Sequence, residues 1–362
     1  MKIGFDAKRY YHNHTGLGNY SRTLVGGLQT QFPQHDYLLY DEKSLRRTFS
    51  LGNKAGADGC DIFHGLSNEL PFDLHFRPSI DRHQRQKRPV SIVTMHDICW
   101  RTFPEMYHFF DRKIYDWKYG SSCRRADKVI AISESTKCDI IEIYGVEENR
   151  IEVICQPVAE NFYQPVAEET EEVIINGCTL PKDYLLYVGS INARKNLMGV
   201  LQALALLPHE LRPVLIVVGN GHEYRRKCEE FIQSKGLEND VMILGNVSSN
   251  TTLQLLYSHA RVMAYPSFYE GFGLPVVEAA LQHTPVITST LSSLPEAAGP
   301  DACLVNPHDS DAAEQMAHYI ERLYTDDDYH RLVADKMEQY ARTSFAPELQ
   351  PQKLMKLYES LV

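Results

Sequence analysis

Short apolar runs alternate with longer amphipathic stretches along the whole chain, and the alternation occurs twice. In the first half the runs KIGFDA (2–7), YLLY (37–40), DIFHG (61–65), VSIVTMHD (90–97), KVIAIS (128–133) and RIEVI (150–154) read as strands. Runs this short and this uniformly apolar suit strands buried on both faces, as in a parallel sheet covered by helices. GNYSRTLVGGLQTQF (18–32), DRKIYDWKYGSSCRRA (111–126) and ESTKCDIIEIYG (134–145) supply helices between them. The second half repeats the scheme, with strands at 183–190, 213–220, 241–246, 260–267, 284–290 and 302–306 and helices at 196–207, 222–235, 250–258, 275–282 and 311–324. An α/β chain of two doubly wound units follows. A length of 362 residues is comfortable for two such units. The seam is expected at NFYQPVAEETEEV (161–173), where prolines and a carboxylate run suit an exposed linker.

Charge narrows the partners. The net charge is −10, and residues 171–362 carry most of it, with 15 Lys+Arg against 24 Asp+Glu. Phosphate neutralisation needs a basic surface, so nucleic acid is not an expected partner. The exception is RPSIDRHQRQKRP (77–89), with Arg77, Arg82, Arg85, Lys87 and Arg88. It reads as a solvated loop or, more sharply, as a peripheral contact with anionic lipid or an anionic acceptor. The eight cysteines are scattered, with no CxxC and no metal-finger spacing. MKIGFDAKRYY lacks the apolar core of a signal peptide, and no run approaches the roughly 18 apolar residues of a membrane span. The expectation is a soluble, cytoplasmic chain, at most peripheral to a membrane.

Open α/β sheets bind ligands beyond the carboxyl ends of their strands. Those ends carry TGLGN, MHD, GSINARKN, VVGNG and SFYEGFG. The last continues into YEGFGLPVVEA (269–279), which sets Glu270 and Glu278 on either side of a glycine turn. Pro275 suits the first turn of a helix, so Gly271, Phe272, Gly273 and Leu274 would present backbone N–H groups at a helix N-terminus. Glu278 is expected in that first turn, where complementing the helix dipole is one reading. Carboxylates also accept hydrogen bonds from vicinal hydroxyls. The pair therefore suits a ligand with hydroxyls at two places and negative charge between them, as in a nucleotide-sugar. In YVGSINARKN, Arg194 and Lys195 follow a strand and Gly189, and Asn196 can cap the next helix. Adjacent cations there can hold a diphosphate; alone they could equally be surface charges. Gly16 and Gly18 in TGLGN resemble a truncated dinucleotide loop, a weak signal when it stands alone. His96, in TMHD, reads either as a satisfied strand-end histidine or as a hydrogen-bonding partner for a sugar.

In this order the motifs resemble the retaining glycosyltransferases of family four (group 1), with the GT-B architecture. The resemblance rests on the E-x7-E element with its internal GFG, on GLGNYSRTL (16–24), DIFHG (61–65), MHD (95–97), RRADKVIAISESTKCDI (124–140), VGSINARKNL (188–197), VVGNG (217–221) and SSLPEAAG (292–299). It implies two Rossmann-like domains facing across a cleft. Residues 1–170 would form the acceptor-side domain, with a C-terminal helix, 347–362, packing back on it; residues 171–346 would form the donor domain. It implies that Arg194 and Lys195 hold the donor diphosphate and that Glu278 binds the ribose. Glu270 and the backbone from Gly271 to Leu274 would meet the donor sugar and phosphate, and His96 would lie near the transferred sugar. Gly16 and Gly18 would form the loop where acceptor and diphosphate meet. Two positions depart from the pattern: Ser190 follows Gly189 where many relatives have arginine, and Ala193 stands where RKN-type relatives have proline.

No cofactor and no metal are implied, only a nucleotide-diphosphate sugar as donor and a glycan or lipid-linked acceptor. The RKN-type loop resembles those of mannosyltransferases of surface polysaccharide synthesis, which makes GDP-mannose the first donor to test. A nucleotide-sugar epimerase on a similar scaffold, a sugar-nucleotide-binding protein without turnover and a dinucleotide oxidoreductase remain alternatives at this point.

Overall fold

A computed structural model describes residues 1–13, 16–42, 44–74, 88–166, 173–175, 177–247 and 249–362. Most of the basic stretch 77–89, the whole carboxylate run of the expected linker, and Thr15 lie outside the described residues. Of the basic stretch, Arg88 is described, and its guanidinium is paired with Asp127 at 2.7 Å.

The chain forms two compact units, Met1–Pro157 with Phe345–Val362, and Val158–Ser344. The first is built on β1 (Lys2–Asp6), β2 (Asp36–Tyr40), β3 (Ile62–Gly65), β4 (Val90–Met95), β5 (Lys128–Ala131) and β6 (Ile151–Val153). They form one sheet in the order β2-β1-β3-β4-β5-β6, with every pairing parallel. Side chains alternate between its faces, as the pleat requires. Ile62, Ile92 and Ile130 join one core with Leu24, Val25 and Leu28 of the helix Gly16–Gln31. Phe63, Val93 and Val129 join the other.

The C-terminal helix Leu349–Leu361 completes the first of these cores with Leu354, Met355 and Tyr358. A buried polar relay fixes it: the Tyr358 hydroxyl lies 2.6 Å from His64 Nδ1, and His64 Nε2 lies 2.8 Å from the Thr94 hydroxyl. Burial drives the His64 pKa down to about 3, so the ring is neutral and one nitrogen donates while the other accepts.

The second unit opens with a two-residue hairpin, β7 (Ile174–Ile175) and β8 (Cys178–Thr179). Its main sheet comprises β9 (Tyr184–Val188), β10 (Leu215–Val218), β11 (Val241–Gly245), β12 (Ala260–Tyr265), β13 (Val286–Ser289) and β14 (Cys303–Val305). The order is β11-β10-β9-β12-β13-β14, again all parallel. The order therefore reverses between β9 and β12, and between β1 and β3 in the first unit. Such switch points leave a crevice beyond the strand ends, because successive helices leave on opposite sides.

The units divide at Pro157/Val158, ahead of the boundary expected at 170/171. The reason is packing. Phe162 is wholly buried, its ring 6.0 Å from that of Tyr257, and its carbonyl accepts from the Gln282 amide at 2.6 Å. The start of the expected linker is thus core of the second unit.

Candidate functional site

Two loops leave the switch point of the second sheet. One follows β9 and holds Arg194 and Lys195; the other follows β12 and holds Glu270. The β9 loop is a chain of local caps. Asn192 accepts from the Lys195 N–H at 3.1 Å, and Asn196, in a left-handed conformation, caps the helix Leu197–Leu206 by accepting from the Gly199 N–H at 3.2 Å. Asn196 also donates to the Pro266 carbonyl at 3.2 Å, and the Phe268 N–H donates to the Arg194 carbonyl at 2.8 Å. These bonds hold the two loops in register.

Between them the three charged side chains converge on one atom. Glu270 Oε1 lies 2.7 Å from Lys195 Nζ and 3.0 Å from an Arg194 nitrogen, and all three side chains are at most 15% exposed. Burial pushes the Glu270 carboxyl upward, but Lys195 and then Arg194 outweigh it and hold the pKa below its ordinary value. The group therefore carries two positive charges against one negative. Lys195 also donates to the Tyr265 hydroxyl, and Arg194 donates to the Tyr269 carbonyl at 2.5 Å. Tyr265, a fully buried strand residue, was not singled out by sequence reasoning because it reads as core.

The turn after Glu270 is fastened from the next loop. The Ser293 hydroxyl donates to the carbonyls of Glu270 and Phe272, at 2.8 and 2.9 Å, and Ser292 accepts from the Glu270 N–H at 2.9 Å. Gly271, Phe272 and Gly273 are buried. Phe272 is therefore a packing side chain whose contribution at the site is its backbone. Gly273 caps the helix Leu274–Leu281 at φ +110°, a conformation that L side chains rarely adopt. Gly189 lies beneath the Lys195 stem: a Cβ at Gly189 would fall 3.5 Å from Lys195 Cδ.

Glu278 differs from expectation. The helix begins at Leu274, so Glu278 stands beyond its first turn, which holds no acidic residue. Complementing the dipole is not its role, because that effect fades within one turn. It accepts from the Tyr257 hydroxyl at 2.9 Å and has no cation beside it that moves its titration. Burial raises its pKa from 4.5 to about 7, with the Tyr257 bond opposing. The two glutamates of the motif thus diverge: Glu270 is held ionised, and Glu278 is half protonated near neutrality.

This divergence gives a stability prediction. The folded pKa of Glu278 exceeds its unfolded value, so the folded state binds the extra proton and loses stability as pH rises from about 4.5 through about 7. Glu278→Gln keeps an acceptor for Tyr257 without that titration. Its melting temperature relative to wild type should climb between pH 5 and pH 8, by an amount equivalent to about 2–3 kcal/mol. A pH-independent difference would show that Glu278 does not titrate there.

In the first unit, His96 follows β4 and is buried. Its Nε2–H donates to the Leu66 carbonyl at 2.9 Å, which can only accept, so Nδ1 accepts from the Gln156 amide, also at 2.9 Å. Burial lowers its pKa and keeps the ring neutral. The Tyr20 ring meets it edge-on at 4.6 Å. Both nitrogens are used within the unit, so a sugar hydroxyl would have to displace Gln156 or Leu66 to reach them. Tyr20 belongs to the helix Gly16–Gln31, which brings Gly16, Gly18 and His96 into one neighbourhood. Gly18 is required by close approach: a Cβ there would fall 1.7 Å from the Asn13 carbonyl oxygen, whereas one at Gly16 would meet nothing within 4 Å. Arg22 clamps this turn, donating to the carbonyls of Tyr10 and Asn13 at 2.8 and 2.9 Å.

Two Rossmann-like α/β units in one chain, the second bearing a cation pair and the E-x7-E element at its switch point, define the GT-B class of glycosyltransferase architectures. The chain belongs to the glycosyl transferases group 1, which match residues 170–344, and the Glycosyltransferase Family 4 domain matches residues 18–162. O-antigen chain mannosyltransferase B of Escherichia coli is 33% identical over 269 residues, covering 73% of this chain and 66% of that one. The serotype-specific mannosyltransferase WbdA of Escherichia coli is 28% identical over 248 residues, covering 67% of this chain and 29% of that one. The chain thus spans less than two thirds of the length of these relatives. Among solved structures, sucrose-phosphate synthase of Thermosynechococcus elongatus superimposes with a TM-score of 0.74 at 20% identity, over 100% of this chain and 99% of that one. Anabaena HepE, solved with UDP and glucose, gives 0.72 at 18% identity, over 99% and 100%. At these identities the likeness establishes the fold.

Proposed function

We propose that this protein is a retaining, metal-independent hexosyltransferase that moves mannose from GDP-mannose to a hydroxyl of a glycan or lipid-linked acceptor in surface polysaccharide synthesis. The observation that carries the reading is the buried Arg194–Lys195–Glu270 group at the β9/β12 switch point, with its excess positive charge. The donor diphosphate would sit against those two cations and the backbone from Gly271 to Leu274. Glu278, with one carboxylate oxygen already held by Tyr257, would take the ribose hydroxyls. Gly16, Gly18 and His96 would mark the acceptor side. The mannosyltransferase names of the relatives favour mannose as the sugar.

The chemistry follows from the charges. As the bond between the anomeric carbon and the diphosphate oxygen lengthens, the sugar gains oxocarbenium character and the leaving group gains negative charge. Arg194 and Lys195, shielded from water, stabilise that charge without reorganising. The acceptor oxygen bonds to the anomeric carbon on the face the diphosphate leaves, its proton passes to a phosphate oxygen, and configuration is retained. Two fixed cations do the work a divalent ion would otherwise do.

The test is a panel of nucleotide-sugars incubated with mannose-terminated oligosaccharides, with and without EDTA, following both nucleotide release and the glycan product. Transfer from GDP-mannose, with an α-linked product and a rate within about twofold after EDTA, is expected. Transfer from UDP-sugars alone would replace the donor. Nucleotide release without acceptor, with altered free sugar, would indicate an epimerase, and donor binding without release across all acceptors would leave a binding protein.

A further inference from the structure

A surface helix ordinarily turns its apolar stripe inward. The helix Phe109–Arg125 also turns one outward. Phe110, Ile114 and Trp117, spaced four and three residues apart on one face, are 77%, 54% and 60% exposed. The stripe continues across elements: the Trp117 ring stacks on Phe72 at 5.0 Å, and Phe72 stacks on Phe49 at 5.9 Å. With Met106 and Phe109, this one region holds six of the eleven exposed large apolar side chains among the described residues.

Charge selects the occupant. In a chain of net −10, the segment 109–125 carries five cations against two carboxylates. One of those carboxylates, Asp116, is consumed by the Trp100 indole N–H at 2.9 Å and by Arg101 at 2.7 Å, and one of the cations, Lys118, is paired with Glu69 at 2.7 Å, which leaves Arg112, Lys113, Arg124 and Arg125 against Asp111. Arg112 and Lys113 lie over the Phe109 ring, each 5.6 Å from its centroid, and Arg125 lies 4.6 Å from that of Phe72. Aromatic side chains in a contiguous stripe, edged by cations, match the boundary between headgroups and acyl chains. No helix among the described residues is long and apolar enough to cross a membrane, so the element would lie on the bilayer.

We propose that the Phe110–Ile114–Trp117 stripe, with Arg112 and Lys113 beside it, docks the first unit onto an anionic bilayer. The proposal is independent of the transferase reading, because no residue of the candidate site belongs to it.

The experiment is sedimentation of the full chain with phosphatidylglycerol/phosphatidylethanolamine vesicles and, separately, with phosphatidylcholine vesicles, alongside tryptophan emission. Trp117 is exposed and Trp100, the only other tryptophan, is buried, so a blue shift on vesicle addition reports Trp117. Binding to the anionic vesicles that weakens with salt is expected. Phe110→Ser with Ile114→Ser should lower partitioning at least tenfold. Arg112→Gln with Lys113→Gln should lower it about fivefold per cation on anionic vesicles only. Phe110, Ile114 and Lys113 are exposed and Arg112 is half-buried, and unchanged melting temperatures would show that folding is intact. Equal binding by the variants, or no binding to anionic vesicles, overturns the proposal. So does a concentration-dependent dimer, dissolved by Phe110→Ser with Ile114→Ser, in a chain that ignores vesicles.

Discussion

Replacing Lys195 by alanine should lower kcat by about 10²–10³-fold, the loss typical of removing one fixed donor to a developing oxyanion. The geometry gives the reason. Lys195 Nζ is anchored by Glu270 at 2.7 Å and by the Tyr265 hydroxyl, so its ammonium is already oriented when the leaving group charges. An ammonium free to rotate in water would have to be ordered during the reaction and would contribute less. The alanine variant keeps Arg194 paired with Glu270, so the carboxylate is not stranded and the site loses one positive charge. Glu270→Gln gives the informative contrast. It removes the carboxylate paired with both cations and leaves them mutually repelling in a buried place, where breaking an ion pair costs about 3–5 kcal/mol. Stability should therefore fall most in Glu270→Gln, and kcat should fall in Lys195→Ala even when the protein melts normally. Steady-state rates with saturating donor, beside thermal melts of each variant, separate the two. Near-normal turnover in Lys195→Ala would remove that residue from the reaction.

The sheets were legible because parallel strands buried on both faces leave an unmistakable trace: β9 reads YLLYV and β10 reads LIVV, with every residue buried. The strands of both main sheets fall on the apolar runs. Elements without that signature were not read. The hairpin Ile174–Ile175/Cys178–Thr179 is too short for a period, and the helix Ser44–Phe49 has no apolar stripe to reveal it. The helix Asp327–Ser344 is also missing from the sequence reading, although Val333, Ala334, Met337 and Ala341 carry a helical period. At the site, residue types and strand ends were legible, since the cation pair and the carboxylate each follow a recognisable apolar strand. Their pairing was not. Glu270 lies 75 positions from Lys195, and nothing local announces that one oxygen meets both cations. The aromatic hydroxyls of Tyr257 and Tyr265 were hidden for another reason: on an apolar stretch a tyrosine looks like packing until its oxygen is seen to have a partner. The pKa contrast between Glu270 and Glu278 is likewise a product of tertiary neighbours, invisible in a motif that treats the two positions alike.

Gly219→Ala should be the most damaging single-atom-scale change outside the charged residues, because it strikes the floor on which Lys195 is placed. At Gly219 the backbone is at φ +151°, and an added Cβ would fall 1.9 Å from the Gly189 carbonyl oxygen. That oxygen belongs to a rigid junction. The Gly189 N–H donates to the Val218 carbonyl at 2.9 Å, the Gly219 N–H donates to the Gly245 carbonyl at 2.8 Å, and the Ile191 N–H donates to the Asn220 carbonyl at 2.8 Å. No flexible side chain can yield; backbone must move. A cost above about 4 kcal/mol, at the extreme of single substitutions, is expected, together with loss of donor affinity, since Gly189 lies beneath the Lys195 stem. Gly26→Ala is the matched control. It lies inside the helix Gly16–Gln31, where a Cβ would meet nothing within 4 Å, and it should stabilise the protein by about 0.5–1 kcal/mol by restricting the unfolded chain. Differential scanning calorimetry of both variants, with nucleotide-diphosphate titrations of whichever fold, gives the answer. If Gly219→Ala melts and binds donor like wild type, the two strand-end turns do not form the unyielding junction described, and the placement of Lys195 must rest on its contacts with Glu270 and Tyr265 alone.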